Sequence, residues 1–131
     1  VIVLDDFHHI SLSVTNIEKA KHFYGTLLGF PELKRPDFDF PGAWYQMGSA
    51  QLHLIENKHA ETLRSSGKID SRDGHMAIRV KDFEETLQYL KDKGIEVLEK
   101  RFGKSGFAQI FCMDPDRNLI EFNVDQEELN K

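Results

Sequence analysis

The sequence predicts an α+β fold in which one supersecondary unit, βαβββ, is used twice, and three observations predict it. The first is an internal repeat. Phe7-His8-His9-Ile10-Ser11-Leu12-Ser13-Val14 returns 66 residues later as Asp73-Gly74-His75-Met76-Ala77-Ile78-Arg79-Val80. The second is the order of periodicities within each copy: two-residue alternation, then a helical stripe, then a closing glycine, Gly29 or Gly94. The third is a pair of late strands, in which Gln51-Leu52-His53-Leu54 lines up with Leu119-Ile120-Glu121-Phe122 at an offset of 68.

The elements follow in order. From Phe7 to Val14, Ile10, Leu12 and Val14 point one way while His9, Ser11 and Ser13 point the other, the signature of a half-buried strand. Asn16 caps a helix whose apolar residues Ile17, Ala20, Phe23, Tyr24, Leu27 and Leu28 fall on one stripe, and Gly29 stops it. Phe30–Lys34 returns as a short strand, Arg35–Gly42 is a loop with two prolines, and Ala43–Met47 with Ala50–Ile55 forms a hairpin through Gly48-Ser49. Glu56 to Asp73 is polar, breaks at Ser65-Ser66-Gly67, and has room for one helical turn. The second copy opens with the strand Gly74–Val80. A helix follows from Asp82, carrying Phe83, Leu87 and Leu90, with Asp82 and Glu85 as a capping box. Ile95–Leu98, Phe107–Met113 and Leu119–Val124 read as strands, Asp114–Asn118 as the last turn, and Gln126–Lys131 as a polar tail.

At 131 residues the chain is read as one domain. Module one covers about 5–57, a connector about 58–72, and module two about 73–125. A piece of about 60 residues is marginal for burying its own core, so the two modules are expected to pack together. Hydrophobic content of 40% and charged content of 30% describe an ordinary soluble globular protein. A net charge of −5 with both signs scattered leaves no basic stripe and argues against nucleic acid as a partner. No apolar run is long enough for a membrane span. Val1-Ile2-Val3-Leu4 reaches Asp5-Asp6 too soon to be a signal peptide. The single cysteine, Cys112, excludes an intrachain disulfide framework, which makes a reducing cytoplasm the simplest location.

Strand parity then marks four positions. His9 lies opposite Ile10, Leu12 and Val14, and His75 lies opposite Met76, Ile78 and Val80. His53 shares a face with Gln51, and Glu121 with Asn123, each opposite an apolar set. The apolar faces can take the helices, leaving the polar faces for a ligand. Parity gives a face and not a distance; a sheet curling around a shared pocket brings the four together. Three imidazoles and one carboxylate suit a first-row divalent ion with positions left open for substrate. Such an ion polarises a carbonyl, stabilises an enediolate or holds two neighbouring oxygens, and Glu121 can serve as a proton shuttle.

These residues resemble the vicinal oxygen chelate superfamily of glyoxalase I, bleomycin resistance proteins, fosfomycin resistance enzymes, methylmalonyl-CoA epimerases and extradiol dioxygenases. The likeness runs from His9-Ile10-Ser11-Leu12-Ser13-Val14 through Phe23-Tyr24 and Leu27-Leu28-Gly29-Phe30. It continues through Gly74-His75-Met76-Ala77-Ile78 and ends in Asp114-Pro115-Asp116-Arg117-Asn118-Leu119-Ile120-Glu121-Phe122. Gly42-Ala43-Trp44 followed by Leu52-His53-Leu54 is similar to glyoxalase-like proteins of bacteria and plants. The resemblance implies two βαβββ modules in a cupped, open-barrel mixed sheet with helices outside. It implies one divalent metal ion (Zn, Ni, Co, Mn or Fe(II)) held by His9, His53, His75 and Glu121, a small-molecule substrate and a homodimer.

The leading reaction it implies is a glyoxalase-type lyase or isomerase, with Glu121 catalytic. Glyoxalase I usually has Glu or Gln where His53 stands, so this chain has one carboxylate fewer in its set. The alternatives are an Fe(II) extradiol-type dioxygenase, a drug- or metabolite-binding protein like the bleomycin resistance proteins, and a fosfomycin-type thiol transferase. Members of the binding group often lack metal ligands, so a full ligand set counts against that reading.

Further residues are substrate candidates. Arg79 shares the face of His75 and can meet an anionic substrate or pair with a nearby carboxylate. Trp44 packs in its hairpin or lines the pocket mouth, since the mixed parity of its strand leaves both faces open. Arg35 and Arg101 lie in loops flanking the expected cup. Phe38, Phe40, Phe102 and Phe107 are loop aromatics that can cover an apolar substrate tail or a subunit interface. His8 is expected to point away from His9, and His8, His22 and His59 are not candidate ligands. Cys112 reads as a small buried hydrophobe, and Asp114 and Asp116 as turn formers.

Overall fold

Alternation in the first segment produces strand β1 (His9–Val14), and Asn16 behind it takes extended backbone angles while its side chain accepts a hydrogen bond from the Lys19 amide. The structure, a computed structural model, describes residues 1–130. The chain forms two compact units, Val1–Leu63 and Arg64–Lys131, which part inside the expected connector. Each unit has the order βαβββ, so the fold is α+β with one module used twice.

In the first unit, helix α1 (Ile17–Lys21) continues as a π-helical turn over His22–Leu27, where sequence periodicity predicts regular α-helix. The Leu28 amide reaches the Phe23 carbonyl at 2.9 Å. The wider turn lets the adjacent residues Phe23 and Tyr24 both be buried, and it seats Gly25 where an added Cβ would stand 3.4 Å from the Tyr45 hydroxyl oxygen. Gly29, at φ 74°, ends the helix, and the Phe30 amide closes it on the Tyr24 carbonyl at 3.0 Å. That spends the Phe30 donor and, with Pro31 lacking one, leaves β2 only Glu32–Leu33 rather than the expected Phe30–Lys34. Strands β3 (Gly42–Met47) and β4 (Ala50–Glu56) form the expected hairpin, with Gly48 at φ 62°.

The sheet runs β1-β4-β3-β2, with β1 parallel to β4 and the other pairs antiparallel. Its register assigns the faces. Val14, Ala43, Tyr45, Leu52 and Leu54 are buried and lie on the side of Ala20, Phe23 and Tyr24. Full burial of side chains such as Leu52 and Leu54 is worth about 1.5–3 kcal/mol each. His9, Ser11, Trp44, Gln46, Gln51 and His53 lie on the other side.

The stretch after β4 contains turns and no helix. In the second unit Arg64 gathers the remaining connector, donating to the carbonyls of Lys68 at 2.9 Å and Arg117 at 3.0 Å and to Asp73 Oδ2 at 3.0 Å. Strand β5 (His75–Arg79) leads to helix α2 (Phe83–Asp92). Asp82 Oδ1 accepts from the Glu85 amide at 2.9 Å, one half of the expected capping box. The Ile95 amide closes α2 on the Leu90 carbonyl behind Gly94, at φ 72°. Strand β6 therefore begins later, at Leu98–Lys100, and corrects the expected Ile95–Leu98.

Strand β7 (Phe107–Met113) matches expectation, and β8 (Leu119–Asp125) extends one residue further than expected. Between them Asp114 Oδ1 accepts from the amides of Asp116 at 2.8 Å and Asn118 at 2.9 Å, which is turn-forming chemistry. The second sheet runs β5-β8-β7-β6 with β5 parallel to β8, and neither sheet closes into a barrel. Phe83, Leu87 and Leu90 are buried on the helix side with Ile110, Cys112, Ile120, Phe122 and Val124. Gln126–Asn130 forms a 3-10 turn; Lys131, the end of the expected tail, lies outside the described residues. Among the described residues no helix is long and apolar enough to cross a membrane.

Candidate functional site

Each unit offers a pair of donor side chains on the sheet face away from its helix. In the first unit His9 and His53 come from the parallel neighbours β1 and β4, and their rings stack at 4.1 Å. The opposite face of His53 is covered by Trp44, which stacks on it at 4.1 Å with 5° between the planes. Trp44 is the register partner of His53 across the hairpin, which settles the parity that the sequence left open. His53 is buried, and burial, followed by His9, His8 and Arg35, holds its pKa below the usual histidine value. Its ring is thereby kept neutral and able to act as a ligand.

The hydrogen bonds specify which nitrogens are free. His53 Nε2 lies 2.8 Å from Gln51 Oε1, an oxygen that only accepts, so Nε2 carries the hydrogen and Nδ1 carries the lone pair. His9 Nδ1 lies 2.7 Å from His8 Nδ1, an interaction in which one donates and the other accepts, and His9 Nε2 is left open. This corrects the expectation that His8 points away. His8 precedes the first residue of β1, so strand parity does not govern its side chain.

In the second unit His75 and Glu121 come from the parallel neighbours β5 and β8. His75 Nδ1 donates to the Asp73 carbonyl at 2.7 Å, and Nε2 stands 2.9 Å from Glu121 Oε1. Phe111 backs the imidazole edge-on at 5.3 Å. Glu121 is buried at 4% exposure, and its Oε2 accepts from Asn123 Nδ2 at 2.8 Å. Asn123 Oδ1 is buried with no hydrogen-bond partner among the described residues. With Nδ1 already donating, His75 turns its Nε2 toward a carboxylate oxygen. Two acceptors at that distance attract only when a proton or a cation is shared between them.

The donor chemistry fits a divalent metal. Its imidazoles are oriented by Gln51, His8 and the Asp73 carbonyl, and Asn123 orients the carboxylate. Among the described residues, no group of three or more His, Cys, Asp or Glu side chains stands together as a metal site. The four sequence candidates occur as two pairs. Parity showed that Gln51 and Asn123 share the faces of His53 and Glu121, but the Asp73 carbonyl and the His8 contact left no mark in the sequence.

The other candidates divide. Arg79 forms an ion pair with Asp125 at 2.9 Å, and its guanidinium lies 5.3 Å from the ring centre of Phe107. Arg101 bonds Glu84 and Glu99 and lies over Phe83, on the helix side of its sheet, which corrects its reading as a residue flanking the site. Arg35 lies against Phe38 and Phe40. Cys112 is fully buried, and burial followed by Asp114 pushes its thiol pKa up to about 12.

The family model of the Glyoxalase/Bleomycin resistance protein/Dioxygenase superfamily matches residues 6–122. The chain belongs to this superfamily. It is 30% identical to a lactoylglutathione lyase of Neisseria meningitidis serogroup A over 125 residues, covering 87% of this chain and 86% of the relative. It is also 30% identical to the metallothiol transferase FosB of Staphylococcus haemolyticus over 99 residues, 76% of this chain and 68% of that protein. The crystal structure of the glyoxalase family protein from Enterococcus faecalis matches with a TM-score of 0.71 and 26% identity, over 91% of this chain and 97% of that one.

Proposed function

We propose that this chain is a metal-dependent enzyme of the glyoxalase lyase or isomerase type, acting on a small substrate with two neighbouring oxygens. In this reading the two modules serve one active domain, and His9, His53, His75 and Glu121 are the donors for one divalent ion. The observation that carries it is the His75 Nε2–Glu121 Oε1 contact at 2.9 Å, which brings an imidazole nitrogen and a buried carboxylate together from neighbouring parallel strands. The lyase relative supports the choice of reaction.

A bound divalent ion supplies Lewis acidity toward the two substrate oxygens. The chain's own residues do the rest. Trp44, stacked on His53, fixes the orientation of that ring beside the substrate. Glu121 takes the proton from the hydroxyl-bearing carbon and returns it to the neighbouring carbonyl carbon, while the hydroxyl proton passes to the former carbonyl oxygen, so that carbonyl and hydroxyl exchange positions with no net gain or loss of atoms. Asn123 keeps Glu121 Oε2 oriented during the transfer.

The test is turnover of a hemithioacetal, formed from a 2-oxoaldehyde and a thiol, by protein loaded with each ion in turn. Metal-dependent product that falls at least about 100-fold in Glu121→Gln is expected. Full activity in that variant would overturn the role of Glu121. The transferase relative supports a second reading, fosfomycin-type thiol transfer. Consumption of thiol and fosfomycin with no hemithioacetal turnover would establish that reading in place of the first.

A further inference from the structure

We propose that Arg35 is the recognition point for an oxyanion, a carboxylate or phosphonate carried by the substrate beside its chelating oxygens. The inference rests on the reading above, in that it takes the Trp44–His53 face as the substrate face. Four observations place and prepare this guanidinium.

First, it lies on that face. A Cβ added to Gly42 would stand 2.9 Å from both Cζ and Nε of Arg35, and Gly42 shares its side of β3 with Trp44. Second, the guanidinium is held in advance of any ligand. Its centre lies 4.6 Å from the ring centre of Phe38 and 4.9 Å from that of Phe40, and Nη2 donates to the Phe40 carbonyl at 2.9 Å. Phe38 in turn lies 6.2 Å from Trp44, ring centre to ring centre.

Third, its charge has no protein counterion. Arg64, Arg72, Arg79 and Arg101 each pair with an Asp or Glu, whereas no carboxylate lies within ion-pair distance of Arg35 among the described residues. Arg117, the remaining arginine, is held by a hydrogen bond from its Nη1 to the Ser65 carbonyl at 3.0 Å. Fourth, its hydrogen-bonding capacity is largely unspent. A guanidinium has five N–H donors; here Nη2 serves one carbonyl, and Nε is buried without an acceptor. A guanidinium held against a stacked ring pair (Phe38 and Phe40, 5.2 Å between ring centres) and without a carboxylate partner is an arrangement that a planar oxyanion completes through charge-assisted hydrogen bonds. The half-exposed, mutually stacked rings of Phe38 and Phe40 then give the carbon skeleton that bears the anion an apolar wall.

Trp44 is the only tryptophan, so tryptophan emission excited selectively over the three tyrosines reports from this face. The full chain, stripped with chelator and held at constant ionic strength, is titrated with lactate, methylphosphonate, the uncharged lactamide, and chloride. Saturable change with lactate or methylphosphonate is expected, with lactamide and chloride inactive. The better of the two anions identifies which oxyanion the site takes. Affinity is expected to fall about tenfold or more in Arg35→Met. Arg35→Lys should bind more weakly than the parent chain, and Arg72→Met, at an exposed arginine of the second unit, as tightly as it; circular dichroism checks that each variant folds. Unchanged affinity in both Arg35 variants, or lactamide binding as well as lactate, would overturn the proposal. Because the titration uses metal-free protein, its failure is distinguishable from failure of the metal-enzyme reading, which metal binding tests separately.

Discussion

Held between His9 and Trp44, with Nε2 tied to Gln51, His53 has little freedom and a lone pair only on Nδ1. Its lowered pKa sets the sign of a pH effect. The folded chain binds fewer protons at His53 than the unfolded chain does once the pH falls below about 6.5. This contribution to stability is therefore fully present above pH 6.5 and is lost as the pH drops toward the folded value. Denaturant unfolding of metal-free protein is expected to show stability falling below pH 6.5, with a shallower fall in His53→Gln. An equally steep fall in that variant would assign the effect to other groups. Much at this scale was legible. Alternation put His9, His53, His75 and Glu121 on their observed faces, because the strand period is two whatever the tertiary context. It failed for His8, which lies just outside the ladder, and it was silent on Trp44, where Ala43, Trp44 and Tyr45 are all apolar. Arg101 misled because a basic residue next to a strand can turn to either side, and Glu84 and Glu99 decided which.

At the scale of elements, the chain ends its helices by the same means twice. An extended Asn16 or Asp82 accepts from the amide three residues on, and Gly29 or Gly94 takes a positive φ behind the last turn. Alanine at either cap is expected to cost about 1 kcal/mol of unfolding free energy, read from the midpoint of a denaturant curve with unchanged slope. No loss for Asn16→Ala would mean that Glu56, whose Oε2 accepts from the Ile17 amide at 3.0 Å, holds that terminus without help. The caps and glycines were readable because they are local chemistry. The starts of β2 and β6 were not. Phe30 and Ile95 have strand character as residues, yet their amides close the preceding helices, a competition that apolar pattern does not show. The π-helical turn was hidden for a similar reason, since burying Phe23 and Tyr24 together is a demand of the sheet beneath them rather than of the helix itself.

At the scale of the whole molecule, two modules of one design each present a pair of metal-type donors, and superfamily membership gives those pairs a chemical context. The repeat makes this architecture legible in the sequence itself, whereas identity to two relatives with different reactions leaves the substrate to experiment. The central claim is that the His9–His53 and His75–Glu121 pairs are metal donors. Calorimetric titration of chelator-stripped protein with Ni(II), Zn(II) and anaerobic Fe(II) tests it most directly, with His75→Ala/Glu121→Gln and His9→Ala/His53→Ala as paired double variants. The account predicts binding close to one ion per chain, with affinity lost in the first variant and weakened in the second. Absence of binding to the parent chain, or binding unchanged in both variants, would contradict it.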